Sequence, residues 1–305
     1  MQARHLAPYA AGLTRGAGQD QMDLFFTENT SWQLAWAVGV TLVSAYAHGV
    51  LGLGFVSVAM PLLIFFVSFR TAMIITVPVA FFLTARLTFW GHQTRETLVR
   101  FWFMPAMAVL GSFVGAWVYQ TVSSLVLLWI VFGALSLFLS VDLLKGRAPR
   151  IPENWYLPIG ALCGFLAGIT ETSVNMGAPF LLLFFLLTVL STHVIVQVCN
   201  LCFFVGKLVH ITTLSIGGEG SPGVSFEEWL PGFIIAPLCL LLCNQGVKLR
   251  EKVSVETYRR WLKIILFVIA LMLLARIISM SSDDRAELPV EGKNAMVITI
   301  DCSHG

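Results

Sequence analysis

The sequence HGVLGLGFVSVAMPLL, residues 48–63, interrupts an apolar segment with three glycines and one proline. The segment that contains it runs from Trp32 to Phe66 and has no Asp, Glu, Lys or Arg. One helix needs about 20 apolar residues to cross a bilayer core, so this segment is longer than a single crossing requires. Glycine and proline both disfavour the interior of a helix. The stretch therefore predicts a membrane segment that is broken in the middle.

The composition of the whole chain is that of an integral membrane protein. Among its 305 residues, 57% are hydrophobic and 12% are charged, whereas a soluble domain has about 25% charged residues. A net charge of +2 creates no strong attraction to nucleic acid. We expect the lipid bilayer to be a partner and nucleic acid not to be one. The predicted location is the cell (inner) membrane, with several crossings.

A second broken segment repeats the first. Between positions 155 and 190, a glycine-rich stretch leads to Pro179, which lies 118 positions after Pro61. Three ordinary helices follow each broken segment, and Lys207 lies in a helix that runs to about Ile216. A hydrophobic segment interrupted in both halves points to a transporter binding site. The predicted order is a polar segment at 1–31, membrane repeats at 32–150 and 151–281, and a polar tail at 282–305.

The distribution of Lys and Arg predicts the topology, because basic residues collect in cytoplasmic loops. Basic loops occur at 92–100, 145–153 and 248–260, whereas the loop at 217–228 has three glutamates and no Lys or Arg. All basic loops face the cytoplasm only if each broken segment crosses an even number of times, as two short spans or as a re-entrant hairpin. Each half then has an odd number of crossings. We predict an all-α polytopic membrane protein of two inverted repeats, each a broken or hairpin segment followed by three transmembrane helices.

The two breaks are the candidate site. Helix breaks free backbone groups inside the membrane, and the N-terminal ends of half-helices suit an anion. Packing of helices through small residues is the alternative explanation. The candidate substrate-binding residues are Gly49, Gly52, Gly54, Thr170, Thr172, Ser173, Asn175, Asn200 and Lys207.

Charged and titratable residues inside the apolar segments are candidates for coupling. Glu171 is the only carboxylate in the deep apolar regions, and a buried carboxylate is a candidate proton carrier. His48 lies beside the first break and is the second coupling candidate. Lys207 belongs to a polar stripe with Gln197, Asn200 and His210 on one side of a helix. A structural ion pair for Glu171 and a polar seam between helices for the stripe are the alternatives.

Enzyme motifs do not occur in the chain. It has no HExxH, GxSxG or Walker A sequence and no carboxylate pair. We therefore predict that it is not an enzyme and has no catalytic residues, cofactor or metal site. Its six cysteines, five of them in apolar segments, lack zinc-type spacing and are expected to be packing residues.

Residues 52–63 resemble the first glycine-rich copy, leading into Pro-Leu-Leu, of the sulfite exporter TauE/SafE family of membrane transporters. Residues 164–168 and 176–181 resemble the second copy, although members often have Gly-Gly-Pro-Pro where this chain has GAPF. Lys207 is placed like a lysine of that family, and the resemblance covers 32–280. It implies export of a sulfur-containing anion such as sulfite or an organosulfonate.

These observations lead us to expect a secondary transporter that exports a small sulfur-containing anion, with a proton as the candidate coupling ion. An anion channel, or an importer of another small organic anion, is the alternative. A channel would share the anion-binding breaks but would not need Glu171. A membrane enzyme is a weaker third alternative. The sequence leaves the oligomeric state open, with a homodimer as one option.

Overall fold

The computed structural model describes residues 31–63, 66–90, 94–122, 151–188, 192–217 and 223–250, with scattered positions between 125 and 140 and between 252 and 278. The predicted polar segments lie outside these residues, apart from Ser31, and so does most of the basic loop at 145–153. Cys302 lies outside them as well.

The described chain is helical, with no strand among the described residues. Five helices in this part of the chain are long and apolar enough to cross a membrane: α1, α3, α6, α8 and α9. The described positions at 125–140 and 257–278 are helical too. The predicted all-α membrane class is thereby confirmed. The helices are α1 (Ser31–Leu51), α2 (Phe55–Leu63), α3 (Phe69–Phe89), α4 (Thr94–Arg100), α5 (Phe103–Thr121), α6 (Tyr156–Val174), α7 (Ala178–Leu186), α8 (Thr192–Ile216) and α9 (Phe226–Arg250).

Both predicted breaks are present, and left-handed backbone forms each of them. Gly52 and Gly54 follow α1 with φ of 75° and 92°, a region that glycine enters without a steric penalty. Asn175 follows α6 with φ of 61°. The backbone N–H groups of Asn175 and Met176 both donate to the Thr170 carbonyl, so the end of α6 is capped.

Each broken segment is a hairpin of one long and one short helix. In the first, Gln33 Nε2 donates to the Phe66 carbonyl over 2.9 Å, so the end of α2 returns to the start of α1. In the second, Ile151 N donates to the Leu187 carbonyl over 3.1 Å. The short helices have nine residues each and rise about 13 Å, less than half of a bilayer core. The chain therefore leaves each hairpin on the side where it entered, as the even-crossing argument requires.

One end of the bundle, called the Glu228 side, holds the starts of α3 and α9. Arg70 Nη2 lies 3.0 Å from Glu228 Oε1. Ser225 and Glu228 form a capping box, because each side chain accepts a hydrogen bond from the backbone N–H of the other. Trp229 Nε1 donates to Ser215 Oγ, which brings the end of α8 to the same side.

The opposite end, called the Arg250 side, holds the ends of α3 and α9 and the starts of α6 and α8. Gln197 Nε2 near the start of α8 donates to the Thr88 carbonyl near the end of α3 over 3.1 Å. Arg100 pairs with Glu153 just before α6, also at 3.1 Å. The described parts of the acidic loop at 217–228 and of the basic loops thus lie at opposite ends. Which end faces the cytoplasm stays a prediction.

Five helix boundaries of the first half repeat in the second half at an offset of 123 positions. Pro61 is the seventh residue of α2, whereas Pro179 is the second residue of α7, so the offset of 118 based on these prolines does not match equivalent positions. The two halves run in opposite directions, since α1 starts at the Glu228 side and α6 starts at the Arg250 side. An inverted repeat would have this arrangement. The matching starts are Phe55 and Ala178, Phe69 and Thr192, and Phe103 and Phe226, and the matching ends are Leu51 and Val174, and Leu63 and Leu186.

Glycines join the halves through two close helix pairs. The α5–α6 pair makes the largest contact in the described chain, and a Cβ on Gly164 or Gly168 would collide with the α5 backbone at Met104 or Ala108. In the α1–α9 pair, a Cβ on Gly49 would collide with the Cys243 carbonyl. Because α1 corresponds to α6 and α9 to α5, the two contacts are equivalent: α1 packs against α9, and α6 packs against α5.

We expect Gly168→Ala to lower the free energy of unfolding by about 1–3 kcal/mol, because its methyl group must displace the α5 backbone. Gly39→Ala is the control, since a Cβ there has no atom within 4 Å. It should be neutral or stabilising by up to about 1 kcal/mol. Thermal unfolding in detergent measures both. Equal melting temperatures for the two variants would contradict the close packing of α5 on α6.

Candidate functional site

A cavity lies where the two breaks meet. The two predicted breaks therefore approach one another, as expected for a shared site. Each half contributes seven lining residues. They are His48, Gly54, Phe55, Val56, Ser57, Ala80 and Thr84 from the first half, and Glu171, Asn175, Met176, Gly177, Ala178, Phe203 and Lys207 from the second.

Most of the lining residues form equivalent pairs between the halves. At the offset of 123 positions that matches the helix boundaries, ten of the fourteen fall into five pairs. The cavity is therefore built from the same backbone positions twice, and the two halves meet at it. The pairs are His48 and Glu171, Gly54 and Gly177, Phe55 and Ala178, Ala80 and Phe203, and Thr84 and Lys207.

A buried ion pair forms the second half's side of the cavity. Lys207 Nζ lies 2.5 Å from Glu171 Oε1, and the two side chains are 0% and 6% exposed. Lys207 Nζ also donates to Asn175 Oδ1. The second carboxylate oxygen, Glu171 Oε2, accepts a hydrogen bond from Gly177 N over 2.8 Å. The carboxylate is thus held between a lysine and the N-terminal end of α7, two groups that both favour negative charge.

Asn175 connects this ion pair to the first half. Its Nδ2 donates to Thr76 Oγ1 on α3 over 3.2 Å. Thr76 Oγ1 in turn donates to the Ala72 carbonyl and lies 3.6 Å from the sulfur of Met60 on α2. A continuous chain of polar contacts therefore runs from Lys207 across the cavity wall to both α2 and α3.

His48 takes the place in the first half that Glu171 has in the second. Its Nδ1 accepts a hydrogen bond from Phe55 N over 3.2 Å, at the start of α2. Since Nδ1 is the acceptor, a neutral His48 carries its proton on Nε2. His48 is 1% exposed, and its side chain also has a hydrogen-bonding contact with Asn200 on α8.

Two helix starts and one lysine bring positive charge to the wall of the cavity. The short helices α2 and α7 both begin at its wall, and the first N–H groups of a helix have no partner within that helix. These N–H groups and the helix dipole carry partial positive charge. Lys207 adds a full positive charge, which Glu171 balances while it is ionised.

The structure brings some of the predicted residues to the cavity and places others elsewhere. Gly54, Asn175, Lys207, Glu171 and His48 line it. The remaining candidates support the surrounding helices. Gly49 packs on α9, the Gly52 carbonyl accepts from Asn200 Nδ2, Thr170 and Ser173 donate to carbonyls of α6, and Thr172 is buried without a hydrogen bond for its hydroxyl among the described residues.

Sequence reasoning missed the contribution of α3. Thr76 and Thr84 are eight positions apart with Ala80 between them, so all three lie on one face of the helix. A stripe of hydroxyl and small residues at this spacing was the available signal. The stripe on α8 was recognised, but only Lys207 of its four members lines the cavity, while Gln197 and Asn200 bond to neighbouring backbone. For these two, the polar-seam interpretation fits.

Histidines and cysteines do not gather into a metal site in the described chain. No group of three or more His, Cys, Asp or Glu side chains occurs among the described residues. The described cysteines are buried free thiols, in accordance with a packing role. They are Cys163, Cys199, Cys202, Cys239 and Cys243.

The family model described as Sulfite exporter TauE/SafE matches residues 37–273. This range includes all the cavity residues, the second hairpin, and the first hairpin except for the start of α1. Comparison with curated proteins and with solved structures gives no match.

The positive φ at position 175 would destabilise the folded protein if a residue other than Asn, Asp or Gly stood there. Asn175→Gly and Asn175→Ala both remove the amide that contacts Lys207 and Thr76. Alanine must in addition adopt a positive φ, which costs about 1–2 kcal/mol. We expect Asn175→Ala to be less stable than Asn175→Gly by about that amount in thermal unfolding. Equal stability would show that α6 does not need this cap geometry.

Proposed function

The chain belongs to the sulfite exporter TauE/SafE family of membrane transporters, and we propose that it exports a small sulfur-containing anion through the cavity between its two breaks. The candidate substrates are sulfite and organosulfonates. The observation that carries the proposal is the convergence of Lys207 and the N-terminal ends of α2 and α7 on one cavity. These groups supply the positive charge and the N–H donors that an oxyanion requires.

A buried ion pair in the cavity favours a carrier over an anion channel. An anion that approaches Lys207 must compete with the carboxylate of Glu171 for the same ammonium group. Breaking a buried pair and leaving one charge uncompensated costs several kcal/mol, on the order of 3–5. A site with this requirement suits a cycle of discrete binding and release steps better than continuous flow.

We also propose that a proton on Glu171 couples to the anion. While Glu171 is ionised, it neutralises Lys207 and holds the N-terminal end of α7. A proton on the carboxylate removes its negative charge and leaves the charge of Lys207 to attract the substrate. Loss of the proton restores the ion pair and releases the anion. The other titratable groups near Glu171 are His48 across the cavity and Cys202 on α8.

Transport against a gradient tests the function. We expect purified protein in proteoliposomes to accumulate sulfite or an organosulfonate when a pH gradient is imposed, whereas a channel would only equilibrate it. Lys207→Met should weaken anion binding by about 10- to 100-fold at every pH, as expected for loss of a charged contact. The double variant Lys207→Met/Glu171→Gln keeps the cavity free of an unpaired charge and serves as the folding control. Accumulation by Lys207→Met at the rate of the unmodified protein would contradict the site.

Glu171→Gln tests the coupling. The amide oxygen can still accept from Gly177 N, but the side chain cannot ionise. We expect anion binding to persist and the pH dependence of transport to disappear. Glu153→Gln is the matched control, because Glu153 is 81% exposed and pairs with Arg100 outside the cavity. If Glu171→Gln keeps the pH dependence of the unmodified protein, Glu171 has a structural role as an ion pair.

A further inference from the structure

We propose that His210 carries the coupling proton between Glu171 and the Glu228 side of the bundle. The proposal rests on the function proposed above and assigns the route by which a proton reaches the buried carboxylate. His210 belongs to the polar stripe of α8, but in the described chain it neither lines the cavity nor bonds to a neighbouring helix. The partner that its side chain would take is water, which brings protons from the solvent.

His210 stands between the buried ion pair and the Glu228 side. It follows Lys207 by three residues on α8, which runs from the Arg250 side to the Glu228 side. It is 1% exposed and is the last buried residue of α8, because every position from 211 to 217 is partly or fully exposed. About 9 Å of helix separate it from Ile216, where α8 ends. A proton that enters along α8 from that side therefore meets His210 before it meets Lys207.

Glu171 reaches the same face of α8 one turn before His210. Positions 206 and 210 are four residues apart and therefore lie on one face of the helix. Position 206 is a glycine, and a Cβ there would lie 3.2 Å from Glu171 Cγ and 3.4 Å from Ser112 Oγ. No side chain at this position separates the carboxylate from the next turn. One turn is about 5.4 Å, a gap that one water molecule bridges, with the Ser112 hydroxyl as a further partner.

Both ring nitrogens of His210 lack a hydrogen-bond partner among the described residues. A neutral imidazole has one N–H donor and one acceptor nitrogen, and each is costly when it is buried without a partner. Water on the two sides of the ring supplies both partners. The ring then accepts a proton at one nitrogen and gives up the proton of the other, as a histidine does when it shuttles protons.

The transfer to Glu171 moves one proton and no electrons. A hydronium ion on the Glu228 side gives its proton to one ring nitrogen of His210. The N–H on the other nitrogen releases its proton through the bridging water to the Glu171 carboxylate, and rotation of the ring restores the starting tautomer. Lys207 acts on His210 electrostatically. Because two like charges repel each other, the protonated ring is short-lived and the proton moves on to the carboxylate.

Other titratable and charged groups lie along this route on α8 and on the helices around it. Two of them, at the Glu228 side, pair with each other at 3.0 Å, so the entrance has no unpaired cation there that would repel a proton. The groups are Lys207, Glu171 and Cys202 toward the Arg250 side, and Tyr119 of α5, Arg70 of α3 and Glu228 of α9 toward the Glu228 side.

The ratio of net transport to anion exchange tests the relay. In proteoliposomes, net sulfite accumulation under a pH gradient requires Glu171 to gain and lose a proton in every cycle. Exchange of labelled for unlabelled sulfite at equal pH proceeds with the proton in place. We expect His210→Gln to lower net accumulation about tenfold or more, as for loss of a positioned proton carrier. Exchange and the dissociation constant for sulfite should stay unchanged.

His193→Gln is the matched control, because His193 is an exposed histidine near the start of the same helix. It should match the unmodified protein in both measurements. Unchanged accumulation by His210→Gln, beside a pH dependence that Glu171→Gln abolishes, would overturn the relay and leave the proposed function standing. An equal loss of exchange and accumulation in His210→Gln would overturn it in favour of a packing role. If the unmodified protein accumulates no sulfite under a pH gradient, the relay and the proposed coupling both fail.

Ordered water locates the route even where a variant fails to fold. In a high-resolution structure of the unmodified protein, we expect a water molecule within hydrogen-bond reach of one His210 ring nitrogen and of the Glu171 carboxylate. A second water should lie at the other ring nitrogen, toward the Glu228 side. A ring whose two nitrogens are both in dry contact with apolar side chains would overturn the inference.

Discussion

Backbone N–H groups freed inside an apolar bundle need partners, and this requirement organises the protein at its two breaks. His48 accepts a hydrogen bond from Phe55 N at the first break, and Glu171 accepts one from Gly177 N at the second. His48 and Glu171 each lie three residues before the end of the long helix of their hairpin. From this last turn, each side chain reaches the backbone N–H at the start of the short helix. The groups that stabilise the breaks are therefore the same groups that line the cavity.

Close helix contacts join the two halves around the cavity. Gly49 on α1 and Gly168 on α6 bring helix backbones together so closely that a methyl group would collide. Each of these contacts joins the hairpin of one half to the last described long helix of the other half. The Arg70–Glu228 pair and the Asn175–Thr76 contact add polar ties between the halves. The site is thus held by both halves and belongs to neither alone.

Two halves with one backbone plan carry different chemistry. The second half has the acid and the base, Glu171 and Lys207, while the first has His48 and Thr84 at the equivalent positions. One short helix therefore starts against a carboxylate and the other against an imidazole. In the mechanism that we propose, the acid half handles the proton. This difference between the halves needs only side-chain changes, because the repeated backbone already provides two helix starts.

The sequence by itself determined the membrane class, the two breaks and the position of Glu171 and Lys207 as lone charges in apolar segments, because apolar length, glycine clusters and lone charges are local properties of a chain. Only the tertiary structure decided that Gly49 packs on α9, that Thr76 and Thr84 reach the site, and that the equivalent positions lie 123 apart. Prolines suggested the wrong offset because each short helix tolerates its proline at a different position. Which glycine touches a helix and which borders a cavity depends on what packs opposite, and no local pattern contains that information.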